Sequence, residues 1–235
     1  MFTRISSLIL AILLFLVFLG SSANFYIFAT SVVVLIFASL AINFKRLNFT
    51  WPHLMLPVIY LLGAGSVFTI ISSSTIRTIF LIVIAIVYYF LEIKLGHESH
   101  FLQNVYLLSV FALFLALFAA QFYFNIKIWW MVPVAFVLTY LLAIQGFAGF
   151  SLPSKKYFYV LLALICAEVV WALSFWPIHY YDDAVILFSF FYILWLFSFS
   201  AFFGKLTRQK VYWQLTLIAI VLTLTLTTAA WRPLR

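Results

Sequence analysis

Only five acidic side chains occur in the 235 residues, and four of them carry most of the chemistry the sequence suggests. Glu168 stands near the middle of YFYVLLALICAEVVWALSFWPIHYYDD, an apolar run covering residues 157–183. A carboxylate at that depth costs roughly 3 kcal/mol to place in a bilayer, so it is expected to be hydrogen-bonded inside a bundle or to be functional. Counting inward from the ends of the neighbouring runs sets Tyr140, Tyr192 and Thr223 at its level. These four residues form the expected intramembrane polar site, with Glu168 facing the interior either as a clamp between helices or as a proton or cation carrier.

The second constellation is His179, Asp182 and Asp183. An imidazole beside two carboxylates could hold a cation or activate an acceptor hydroxyl, and adjacent acidic residues on an outer loop occur in membrane glycosyltransferases that use lipid-linked sugars. Here the connection is only a handful of residues long, which leaves little room for donor and acceptor. The blander expectation is that one aspartate caps a helix starting at Ala184, with its charge at the positive end of the helix dipole.

A third cluster, His97-Glu98-Ser99-His100, pairs two imidazoles at i and i+3. A zinc protease motif needs i and i+4 on a helix with the glutamate between, so this stretch reads as a solvated loop. The serine of Gly149-Phe150-Ser151 lacks the following glycine of a nucleophile elbow, and no glycine loop of phosphate-binding pattern is present. No catalytic residue, metal or cofactor is expected.

What must position these residues is plain from the composition. With 68% hydrophobic and 8% charged residues, the chain lies far from soluble domains, in which about a quarter of residues are charged. Apolar runs at 8–19 (within the N-terminal stretch 1–23), 25–44, 54–71, 76–91, 101–124, 128–147, 157–176, 184–203 and 211–230 mostly approach the roughly 20 residues a helix needs to cross a bilayer. The expected fold is an all-α integral membrane protein. It is a polytopic bundle of nine transmembrane helices in one domain over 1–235, without a soluble domain. Eight would remain if the first run were a signal cleaved after Ser21-Ser22-Ala23, although an uncleaved hairpin turning at 21–24 is the preferred reading. Pro57 and Pro133 fall within the third and sixth runs, and Gly63-Ala64-Gly65-Ser66 gives the third a surface suited to close packing.

The net charge of +8 would suggest nucleic acid in a soluble protein, but here Lys and Arg sit in short clusters between apolar runs. With a cytoplasmic N-terminus, nine of the 13 fall inside and four outside, which favours N-in and C-out. The pairs Lys94-Leu95 with Gln103 and Lys205-Leu206 with Gln214 repeat at one offset, yet the rest of the two halves does not align. Cys166 is the one cysteine, which excludes an intrachain disulfide.

The expected partners are the bilayer and other membrane-protein subunits. The first functional expectation is a non-enzymatic component of a membrane assembly in the cell membrane. A small transporter using Glu168 comes second, and an enzyme acting on lipid-linked substrates through Asp182 and Asp183 comes third.

Overall fold

The structure, a computed structural model, describes residues 2–21, 24–46, 51–95, 100–148, 155–202, 207–229 and 231. Among these, nine α-helices follow one another: α1 (Phe2–Ser21), α2 (Phe25–Arg46), α3 (Trp51–Ile70), α4 (Ser74–Lys94), α5 (His100–Phe124), α6 (Ile128–Gly146), α7 (Lys155–Leu173), α8 (Tyr180–Phe202) and α9 (Arg208–Thr228). Seven are long and apolar enough to cross a membrane, while the apolar parts of α1 and α3, Arg4–Gly20 and Leu54–Ile70, are shorter. This is the pattern of a multi-pass helical membrane protein, in which the helix satisfies every backbone group internally.

The turns follow local chemistry. Asn24 accepts from the backbone nitrogens of Tyr26 and Ile27 at 2.9 and 3.4 Å, capping α2 where the sequence places the first reversal. Between α3 and α4, the Arg77 guanidinium donates through Nε (3.0 Å) and Nη2 (2.6 Å) to the carbonyl of Ile71 and lies over the Phe68 ring. A cation at a helix C-terminus answers carbonyls that have no partner within the helix. Pro57 and Pro133 stay inside α3 and α6, which continue through them.

The packing gathers into two compact units, Met1–Leu113 and Phe114–Arg235. The division falls inside α5, so no Pro, Gly or charged stretch marks it.

In the first unit α1 packs on α2, α2 on α3, α3 on α4, and α4 returns to α1. Its core holds Phe18, Phe28 and Phe68, with ring centroids 4.9 to 5.5 Å apart. Gly65 makes room for them, since a Cβ there would meet only the tips of Val32, Phe18 and Phe28 at 3.6–3.7 Å. Gly63 serves the other side of α3, directly against Ala112 and the Ser109 carbonyl of α5. The Tyr60 hydroxyl donates to the Ile84 carbonyl at 2.8 Å, and its ring stacks on Tyr88.

In the second unit contacts run in chain order, α6 on α7, α7 on α8 and α8 on α9. Small buried residues face each other across the first of these pairs, Ala135, Thr139 and Ala143 on α6 and Ala163, Cys166 and Ala167 on α7. Such residues let helix backbones approach closely. Phe114 meets Phe191 edge to face at 5.6 Å, joining the end of α5 to α8.

Candidate functional site

The most deeply buried carboxylate among the described residues is Glu92, which the sequence reading passes over. It lies in the last turn of α4 and is 1% exposed. Ser39 Oγ donates to its Oε1 at 2.9 Å, and Asn43 Nδ2 reaches Oε1 at 3.2 Å and Oε2 at 3.0 Å. Asn43 Nδ2 also lies 3.2 Å from Ser39 Oγ, so one helical turn of α2 grips one carboxylate of α4. The Tyr88 hydroxyl sits one turn before Glu92, beside Ser39 and Glu92, without a hydrogen bond of good geometry to either. The signal available in the sequence was the i, i+4 pair Ser39 and Asn43 inside an apolar helix. Glu92 itself, two residues before Lys94, looks like part of a solvated end. Chemically, this arrangement sets two neutral donors on the carboxylate and fastens α2 to α4.

Glu168 lies elsewhere. The buried face of α7 is Tyr159, Leu162, Ala163, Cys166, Ala167, Val170 and Leu173, and Glu168 projects from the opposite, exposed side. The expectation of an interior-facing Glu168 is therefore corrected, because the small residues that permit close approach to α6 decide which way α7 turns. Its expected neighbours do not gather round it. Tyr140 packs against Phe136 and Tyr159, Tyr192 stacks on Phe188, and Thr223 is exposed on α9, its carbonyl accepting from Thr227. Among the described residues Glu168 makes no hydrogen bond or ion pair, and an exposed stripe flanks it: Tyr157, Leu161, Leu164, Trp171 and Phe175.

The third group is brought together, as an aromatic junction. Helix α8 begins at Tyr180 rather than at Ala184, which moves both aspartates into its first turn. Capping falls to His179. Its carbonyl accepts from Asp182 N (2.9 Å) and Asp183 N (3.2 Å), and Tyr181 N points at its Nδ1 from 3.5 Å. The imidazole is seated among rings, 4.2 Å from Tyr180, 5.0 Å from Tyr181 and 5.5 Å from Phe122. The expected capping by an aspartate is thus corrected, although the dipole still favours both charges there. Asp183 is 8% exposed and its Oδ1 has no hydrogen-bond partner among the described residues. Trp176 lies 6.2 Å from Trp231, and Trp129 and Trp130 are exposed at the start of α6, an aromatic collection typical of a membrane interface.

Among the described residues no group of three or more His, Cys, Asp or Glu could hold a metal ion. Residues 97–99 and 149–151 lie outside them; His100 opens α5 and is exposed. No protein-family model, curated protein or solved structure matches the chain.

Proposed function

We propose that this chain is a non-enzymatic, multi-pass component of a larger membrane assembly, crossing the bilayer nine times with its N-terminus cytoplasmic and its C-terminus external. The exposed face of α7 is its docking surface for a transmembrane helix of a partner protein. One observation carries the reading: a carboxylate inside α7, five residues before its end, on an exposed face and with no hydrogen-bond or ion-pair partner among the described residues. Left against lipid, Glu168 would cost up to roughly 3 kcal/mol on insertion scales, the value for a helix centre. A neighbouring helix carrying a Lys, Arg or amide donor at the same depth removes that cost and gains a hydrogen bond. The shape of the face supports the same reading. Tyr157, Leu161, Leu164, Glu168 and Trp171 are spaced alternately four and three residues apart, the spacing of a helix-packing seam, with large rings at both ends. A polar residue at one seam position is a known way of fixing register and partner.

The test is site-directed. A photo-crosslinking residue at Leu164 or Trp171 should capture, in native membranes, a transmembrane segment of one partner bearing a donor at the depth of Glu168. Glu168→Leu should abolish that crosslink and co-purification while leaving the chain's own level and helicity unchanged, and Glu168→Gln should retain part of both. Crosslinks to lipid alone, crosslinks only between copies of this chain, or full capture by Glu168→Leu would each overturn the proposal.

A further inference from the structure

The other open feature lies in the first unit, between α1 and α4. Three reversals separate these two helices, so where they pack together they run antiparallel, and the start of α1 lies beside the end of α4. Along their contact runs an open groove of about 490 Å³. Ala11 and Ala85 form its floor; Leu8 and Leu16 wall it on α1, Ile82 and Phe90 on α4. The groove exists because an alanine on each helix stands where larger side chains rise on either side. Its walls span eight residues on each helix, about 12 Å of length.

One end of this groove is charged. Arg4 stands one turn before Leu8 on the same face of α1 and is exposed; Lys94 stands one turn after Phe90 on the same face of α4 and is also exposed. Lys94 is held at the rim, its Nζ 4.8 Å above the Phe101 ring, which in turn meets Phe90. Glu92, the one described carboxylate of α4, is turned inward to Ser39 and Asn43 and does not offset these cations at the surface. A slot with hydrocarbon walls, ending in two cations at the depth of the helix ends, has the two parts of one amphiphile written into it.

We propose that this groove binds a single anionic phospholipid, with one acyl chain lying over Ala11 and Ala85 and the phosphate held between Arg4 and Lys94. Basic sites between transmembrane helices recognise anionic headgroups, and each cation near such a surface contributes about fivefold in affinity. A zwitterionic lipid of the same chain length fills the groove equally well but gains less at the rim. A partner helix would find the walls without a polar group at mid-depth and the cations without a role. The site is independent of the α7 face and stands or falls without it.

The experiment is native mass spectrometry of the full-length chain released from detergent, after exchange against vesicles of phosphatidylglycerol or phosphatidylcholine with identical acyl chains. The expected result is one retained phosphatidylglycerol, preferred over phosphatidylcholine, and no retention of glycerol phosphate, which lacks the chains. Arg4→Ala with Lys94→Ala should remove the preference, about 30-fold if both cations act. Ala85→Leu, which fills the floor, should lose both lipids with helicity intact. Equal retention of the two lipids by the wild-type chain would overturn the proposal. So would a preference untouched by the double substitution, or tight binding of glycerol phosphate alone. Occupation of the groove by a second copy, seen as a dimer that excludes lipid, would overturn it as well.

Discussion

Two glycines two residues apart on α3 should respond in opposite ways to the same change. A Cβ placed at Gly63 would lie 3.1 Å from Ala112 Cβ and 3.1 Å from the Ser109 carbonyl oxygen, well inside the 3.5–4.0 Å at which carbon atoms attract. Ser109 belongs to the backbone of α5, and its hydroxyl is bonded to Val105 at 2.7 Å, so it cannot swing aside as the tip of a side chain can. Gly63→Ala therefore pushes two helices apart, and overpacking of this kind costs about 1–3 kcal/mol. At Gly65 the added methyl meets only side-chain tips at 3.6–3.7 Å, ordinary contact distance. Both substitutions gain up to about 1 kcal/mol of helix preference. The net expectation is that Gly65→Ala is neutral or stabilising by up to about 1 kcal/mol, whereas Gly63→Ala, with the same gain in helix preference, loses up to about 2 kcal/mol. Reversible unfolding in mixed detergent micelles measures the difference. Combining Gly63→Ala with Ala112→Gly should recover part of the loss, because it relieves one of the two short contacts and leaves the carbonyl. Equal effects at positions 63 and 65, or no recovery in the double variant, would refute the reasoning.

Glu92→Leu should lower unfolding stability in the same assay by about 1–3 kcal/mol, since interhelical hydrogen bonds in membrane proteins are worth about 0.6 kcal/mol on average and two donors, on Ser39 and Asn43, are left buried. Glu92→Gln, which keeps an acceptor between them, should cost less than half of that. The proposed orientation is checked with reporter tags at Lys155 and Arg235: only the second should be labelled from outside intact cells, and labelling at Lys155 would reverse it.

The nine helices were legible because each is a nearly unbroken apolar run; the break at Asn24 is capped by its own side chain, and that before Ser74 is closed by Arg77 on the Ile71 carbonyl. The start of α8 was not, because Asp182 and Asp183 look like a loop to a hydropathy reading, whereas the first turn of a helix is where carboxylates are stabilised. The larger miss was directional. Depth along a helix is only coarsely countable from sequence: the apolar run over 157–183 sets Glu168 near its middle, whereas α7 ends at Leu173, five residues beyond it. The direction in which it points cannot be counted when the helix is apolar all round, because no polar stripe marks the outside. What turns α7 is the row Ala163, Cys166, Ala167 and Val170, small enough to bring α6 close, and that row lies opposite Glu168. Glu92 was missed for the complementary reason: it is shallow by count, yet Ser39 and Asn43 turn it inward.

The described carboxylates can be ordered by what compensates each one. Glu92 has two neutral donors, and Asp182 and Asp183 have the positive end of α8. Glu168 has neither a donor nor a helix terminus, since α7 runs on for five residues beyond it and begins well before it. Each of the others therefore has a local physical reason to be where it is, and removing that reason should destabilise the chain itself. For Glu168 the opposite holds: replacing it with leucine should leave the isolated chain as stable as before or more so, because an apolar residue suits an exposed face in lipid better than a carboxylate. A residue whose removal helps the isolated chain and harms the assembled one separates docking from folding. That sign difference, unfolding stability unchanged or raised while partner capture falls, distinguishes the assembly reading from a clamp within the bundle, for which both quantities would fall together.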